Sequence, residues 1–195
     1  MKTKSKISEY FIQLILVVAG VFFGILASDW NASKNLEKSQ EEILINLKEE
    51  ISANLKMVKQ AESNRKQFYK SLDSLDKVLT KKEEDELFFD KDFQERLPNW
   101  RGIGGGQLSN AMFEMAKYSN ILSTLELDKV KQLAKTYNFQ NTHNKTRATF
   151  LENFYKINSK STYRDVLRQM WAIRQELGGY EFVLQKEYTK TLEML

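Results

Sequence analysis

Cysteine is absent from these 195 residues, and histidine and proline occur once each, as His143 and Pro98. Without cysteine there is no disulfide framework, no thiolate-held zinc or iron–sulfur cluster and no thiol nucleophile. One histidine excludes a histidine-rich metal site, so no metal and no cofactor is expected. A surplus of one charge is lacking too: 26 Asp and Glu stand against 30 Lys and Arg, a net charge of +4. That balance is too even for a nucleic-acid surface, and no nucleic-acid partner is expected. β-strand signals are also scarce. What is present is 42% apolar and 12% aromatic residues, enough buried surface to offset chain entropy and exclude disorder over most of the chain. The length fits one folded domain.

One long apolar run stands out. Tyr10 to Ser28 reads YFIQLILVVAGVFFGILAS, 19 residues without a charge and with one amide, Gln13. A helix of that length covers about 28 Å, close to the hydrocarbon thickness of a bilayer. A lone span must satisfy its own backbone amides, so it must be helical. Tyr10 and Trp30 bracket the run, where amphipathic rings favour the interface. A cleaved signal sequence fits less well: the run exceeds an ordinary apolar core, and Ile25 stands three residues before a cut after Ala27 where a small side chain is expected. Lys2, Lys4 and Lys6 precede the run against Glu9 alone, while the charges after it are mixed. The positive-inside tendency then puts residues 1–9 in the cytoplasm, 10–28 in the membrane and 29–195 outside the cytoplasm. Gln13, Gly20, Gly24 and Ser28 are candidate helix-packing positions, since Gly20, Gly24 and Ser28 form a small-residue ridge that lets two spans approach closely. The bilayer, and either a second copy or a membrane-protein partner, are the expected partners.

After the run, no Pro or Gly occurs until Pro98. Leu44, Leu47, Ile51, Leu55, Val58, Ala61, Phe68, Leu72, Leu75 and Leu79 recur at steps of three and four, predicting a helix over about 33–82. Residues 36–82 alone would extend about 70 Å. Asn54 and Arg65 interrupt the stripe. The opposite face, with Lys48, Glu49, Lys56, Lys59, Glu62, Lys66 and Lys70, reads as solvated, and Glu50 is read with Glu49. The stripe suits either a coiled coil with a second copy or one member of an antiparallel bundle within the chain; the bulk of Phe68 and Tyr69 favours the bundle.

The distal half reads as further helices over 107–195. An acidic stretch, KKEEDELFFDKDFQE, lacks the alternation and central Gly of a calcium loop. Gly102, Gly104, Gly105 and Gly106 form a flexible linker without the Gly-Lys-Ser/Thr ending of a phosphate loop. Ala111, Met112, Met115, Ala116 and Ile121 form a close-packing face. Ser123 to Glu126 has the pattern of a capping box, followed by the stripe Leu127, Val130, Leu133 and Tyr137. Residues 138–144, NFQNTHN, read as a turn holding His143 at the surface. Gly178-Gly179 reads as a break or kink. Arg164, Arg168 and Arg174 are expected to pair with Asp165, Glu176 or solvent. No nucleophile–base pair or converging carboxylates are evident, so no catalytic residue is assigned and no enzyme is expected.

The apolar run together with Asp29-Trp30-Asn31 resembles a group of bacterial single-span membrane proteins with a domain of unknown function. Their mark is a "VVxGVFxG" span ending in a polar-Trp-Asn step. A second similarity covers Ala111 to Lys117, Ser119-Asn120, Leu122 to Leu127 and Tyr137, with Asn120 standing where Gly is usual. The resemblance implies a bacterial single-span envelope protein. Together with the residue patterns above, the expectation is an all-α protein of the bacterial inner membrane, with a single N-terminal signal anchor, a long amphipathic helix and an extracytoplasmic antiparallel helical bundle. It carries over no catalytic residue. The expected role is that of a structural or interaction scaffold. The alternative is a sensing module that binds a small molecule near Trp100 and Trp171 and acts through a partner subunit.

Overall fold

A computed structural model describes residues 3–195, with side chains described from Tyr10 onward. The charges that set the orientation expectation, Lys2, Lys4, Lys6 and Glu9, lie outside those described side chains. All regular elements among the described residues are helical, and Leu87 and Thr162 form an isolated bridge. The first helix, α1, runs Thr3–Val78. The chain divides into two compact units, Met1–Ile45 and Asn46–Leu195.

In the first unit, the side chains from Tyr10 to Ser28 are exposed all round the helix, apart from Ala19. The helix there is long and apolar enough to cross a membrane. A side chain placed at Gly20 or Gly24 would meet nothing within 4 Å, so that face is open. Beyond it, the Lys34 ammonium sits 4.1 Å above the Trp30 ring.

In the second unit, α1 buries one stripe: Leu47, Ile51, Val58, Ala61, Phe68 and Leu72. Asn54 and Arg65 are buried with them. The helix stops at Val78, short of residue 82, because Thr80 begins the next one. Its hydroxyl accepts from the Glu83 amide at 3.3 Å, while the Glu83 carboxylate accepts from the Thr80 amide at 2.8 Å. That reciprocal cap opens α2 (Lys81–Glu84). The single turn α3 (Phe93–Arg96), α4 (Ala111–Tyr118) and α5 (Leu127–Tyr155) follow. Then α6 (Tyr163–Ala172) passes through a π-helical turn (Ile173–Leu177) into α7 (Gly178–Met194).

Several expectations are corrected here. Residues 138–144 do not turn. They lie inside α5, because Gln140 and Asn144 spend their amides on the backbone of Leu108 and Ser109 rather than on local turns. Ser123 forms no capping box; it sits in a short 3₁₀ turn (Ile121–Thr124), and its hydroxyl donates to the Asn120 carbonyl. A capping box like that at Thr80 and Glu83 instead forms at Thr162 and Asp165, opening α6. Gly178 and Gly179 are helical, so the helix is not broken; the π turn before them takes up one extra residue. On α4 the buried residues are Phe113 and Ala116, with Ala111 and Met115 outside, because the Phe113 ring stacks on Tyr137 at 4.2 Å.

Two apolar clusters form the core. One gathers Phe68, Leu72, Trp100, Tyr163, Met170 and Ile173; the other gathers Leu47, Ile51, Leu133, Tyr137, Leu184 and Tyr188. The helices do not simply alternate in direction. Glu50 meets Tyr137 and Asn54 meets Gln140, so α1 and α5 run the same way. Asp73 meets Arg174 and Glu62 meets Gln185, so α7 and its π turn run against α1.

The glycine segment is a fitted strap rather than a loose linker. Gly104 and Gly105 take φ of 67° and 62°, in the left-handed region. A Cβ at Gly105 would come 3.2 Å from the Cβ of Ala61, so the strap lies tightly on α1 where its side chain is small. Gly105→Ala is expected to lower unfolding stability by about 1 kcal/mol or more, through backbone strain and that close approach. Gly179→Ala, in ordinary helix with nothing within 4 Å, is expected to raise it by about 0.5–1 kcal/mol. Denaturant titration of the full-length protein in detergent measures both.

Candidate functional site

The apolar stripe of α1 is broken at Asn54 and Arg65, and both breaks hold polar constructions. At Asn54 the side-chain amide behaves like a strand neighbour. Its Nδ2 donates to the Ser109 carbonyl at 2.8 Å and its Oδ1 accepts from the Ser109 amide at 3.0 Å. Asn144 of α5 does the same for Leu108, at 2.9 and 3.1 Å. Gln140 joins them, donating to Ser109 at 2.8 Å and accepting from the Tyr188 hydroxyl at 2.6 Å. Glu50, expected on a solvated face, accepts from the Tyr137 and Ser109 hydroxyls, each at 2.7 Å, and from the Met112 amide at 3.0 Å. Burial, and then the Glu50 carboxylate, push the Tyr137 phenol far above its ordinary value, and burial does the same to Tyr188. Both remain neutral donors. This half of the core is fully engaged and reads as structural.

The break at Arg65 differs. Arg65, Glu181 and His143 come from α1, α7 and α5, and are 2%, 3% and 3% exposed. The Arg65 guanidinium donates to the Glu181 carboxylate and to the Ile103 carbonyl of the glycine strap. Arg147 of α5 also reaches the strap, donating to the Gly104 carbonyl at 3.4 Å. His143 is therefore not at a surface turn but in the core. Its Nε2 lies 3.6 Å from a Glu181 oxygen, too far for a hydrogen bond, and neither ring nitrogen has a partner among the described residues.

The cluster opens on one side. A groove of about 430 Å³ is lined by Lys59, Glu62, Ser63, Lys66 and Tyr69 of α1 and by Arg174, Gly178 and Glu181 across from them. The Tyr69 hydroxyl is buried at its edge without a hydrogen-bond partner. Burial raises the Tyr69 phenol above its ordinary value against the pull of Arg65, so it stays protonated. Arg174 belongs to the π turn. It donates to Asp73 at 2.5 Å and lies over the rings of Tyr69 and Trp171, at 5.3 and 5.0 Å. Extra residues in helices of this kind often mark functional positions.

Among the residues singled out from sequence, Trp100 does not line this groove. It is buried against Phe68, with ring centroids 4.7 Å apart, and is core rather than ligand platform. Trp171 does not line the groove either; the Arg174 guanidinium lies over its ring. Arg164 pairs with Glu84 at 2.9 Å and Asp85 at 2.8 Å instead of with Asp165, whose carboxylate is taken by the cap on Thr162. Gln13, Gly20, Gly24 and Ser28 lie in the other unit and take no part here. Sequence reasoning missed the second buried cation, Arg96, which bonds Glu86 at 2.8 Å and lies over the Tyr163 ring. Burial pushes the Tyr163 phenol up to about 12. Among the described residues no group of three or more His, Asp or Glu side chains is placed to hold a metal ion. The chain matches no protein-family model, no curated protein and no solved structure.

Removing one partner of the buried pair strands the other. Arg65→Met and Glu181→Leu are each expected to cost about 3–5 kcal/mol in unfolding free energy. The double variant, with both charges gone, is expected to recover most of that loss. A double-mutant cycle by denaturant unfolding checks this.

Proposed function

We propose that the chain is a single-pass protein of the bacterial inner membrane, anchored by Tyr10–Ser28, with the N-terminus in the cytoplasm and residues 29–195 folded outside it as a helical bundle. The observation that carries this reading is the all-round exposure of an uncharged apolar helix. Twelve Phe, Ile, Leu and Val residues lie in that run. At bilayer-centre values they favour insertion by about 4–7 kcal/mol, against which the cost of Gln13 and the glycines is set. A core helix of a water-soluble domain would instead bury such a surface within its own chain.

The anchored domain acts as a scaffold or interaction subunit, with Gln13, Gly20, Gly24 and Ser28 as the face that meets a second span. The open ridge at Gly20 and Gly24 supports that face. Membership of the single-span group that the sequence resembles is supported by Asn120. It takes φ 58°, a left-handed conformation that Gly adopts freely and Asn tolerates, at the place where that group carries Gly. A second reading, a sensing module acting through a partner, is favoured by the groove beside the π turn. It shifts the ligand site away from Trp100 and onto Tyr69 and Arg174.

A C-terminally tagged protein is expected to stay in the membrane pellet through alkaline carbonate. Protease added outside spheroplasts is expected to remove the tag. A carbonate-soluble product, or a tag cut only after the inner membrane is opened, contradicts the proposal.

A further inference from the structure

We propose that the groove between α1 and the π turn is a binding site for a phosphate group, carried either by a free phosphorylated small molecule or by a lipid headgroup. The inference deepens the sensing reading and does not depend on how the chain is anchored.

Among the described residues, of the groove's two carboxylates Glu181 is paired with a cation and Glu62 is not, while the groove's lysines are unpaired. Glu181 holds Arg65. Glu62 accepts from the Gln185 amide at 2.7 Å. In contrast, neither Lys59 nor Lys66 has a carboxylate within ion-pair distance among the described residues, and the Tyr69 hydroxyl has no partner. Ser63 lies between the two lysines on the same helical face. The two lysine ammoniums thus outnumber the one carboxylate not already paired with a cation, Glu62, and the groove has room for an added acceptor that carries negative charge and takes several hydrogen bonds at once.

The kind of donor selects among anions. A carboxylate is best met by a free guanidinium fork, but Arg174 already gives Nη1 to Asp73. Two flexible ammoniums and two hydroxyls suit a tetrahedral anion, which offers oxygens in several directions. The surroundings reinforce this. On the far side of Ser63 and Lys66, a second groove of about 400 Å³ holds Lys70 and Arg101. Lys59 also borders a third, where Lys186 and Lys190 stand with Glu193. The field over this face is thus net positive and draws anions toward the groove. The buried Arg65–Glu181 pair fixes the groove floor, and the open space at Gly178 leaves its wall clear for a ligand.

The test uses the full-length protein in a non-ionic, phosphate-free maltoside detergent, by titration calorimetry at moderate ionic strength. One arm adds inorganic pyrophosphate; the other adds short-chain phosphatidylglycerol, with a diacylglycerol of the same chain length, which lacks the phosphate, as the control. Saturable binding of pyrophosphate supports the site and a free phosphorylated ligand. Binding of phosphatidylglycerol alone supports the site and a lipid source. In either case Lys59→Gln and Lys66→Gln are each expected to weaken binding about tenfold, and Tyr69→Phe to weaken it by a smaller factor. Lys48→Gln, on an exposed part of α1 outside the grooves, is expected to leave it unchanged. These lysines have no partners to lose, so the variants are expected to fold as the parent does, checked by unfolding midpoint. Absence of saturable binding in both arms overturns the inference, as does binding that Lys59→Gln and Lys66→Gln leave untouched. The sensing reading itself fails separately, if no neutral or charged ligand in a thermal-shift screen moves the midpoint.

Discussion

The structure depends on how a single helix presents its apolar surface. Over Tyr10–Ser28 the apolar side chains surround α1. Over Leu47–Leu72 they occupy one stripe, and the rest of the helix is charged. A stripe can be covered by neighbouring helices, and α5, α6 and α7 cover it with two apolar clusters. The all-round apolar surface of Tyr10–Ser28 finds no such cover within its own chain. Its natural cover is lipid, which is why the anchor proposal follows from the same helix that organises the folded domain.

The stripe on α1 is not uniform, and its interruptions carry the specificity of the fold. Asn54 and Asn144 grip the backbone at Leu108–Ser109 as a strand partner would, which fixes the register of the chain between α1 and α5. Arg65 binds three separate parts of the chain into one place: α1, the glycine strap through Ile103, and α7 through Glu181. A buried ion pair adds little net stability over apolar packing, but it penalises any arrangement that separates its members. Ala61 and the positive-φ glycines let the strap come close enough for that carbonyl to reach the guanidinium.

Much of this was legible in the sequence, and the misses have physical causes. The helical class and the buried stripe followed from period and from the lack of breakers. Arg65 and Asn54 were visible as gaps in the stripe, but a gap does not reveal its partners, which lie 38 to 116 residues away for Arg65. His143 was misplaced because a polar, Asn-rich segment resembles a turn until its amides are seen to have distant partners. Gly178-Gly179 resembled a break because glycine loosens a helix locally, while the buried neighbours Leu177 and Glu181 hold it in place. The groove was unreadable beforehand: Lys59, Ser63 and Lys66 look like an ordinary solvated face, and Arg174, Gly178 and Glu181 across from them make it concave.

The most direct measurement of the central claim is hydrogen exchange on the full-length protein in lipid nanodiscs and in a mild detergent that is then stripped away. Amides of 47–72 are expected to be protected throughout, since their cover is their own chain. Amides of 10–28 are expected to be strongly protected in lipid, with exposed apolar surface and aggregation appearing once lipid and detergent are gone. A protein that stays monodisperse without either, with 10–28 unchanged, would contradict the claim that lipid is what covers the first part of α1.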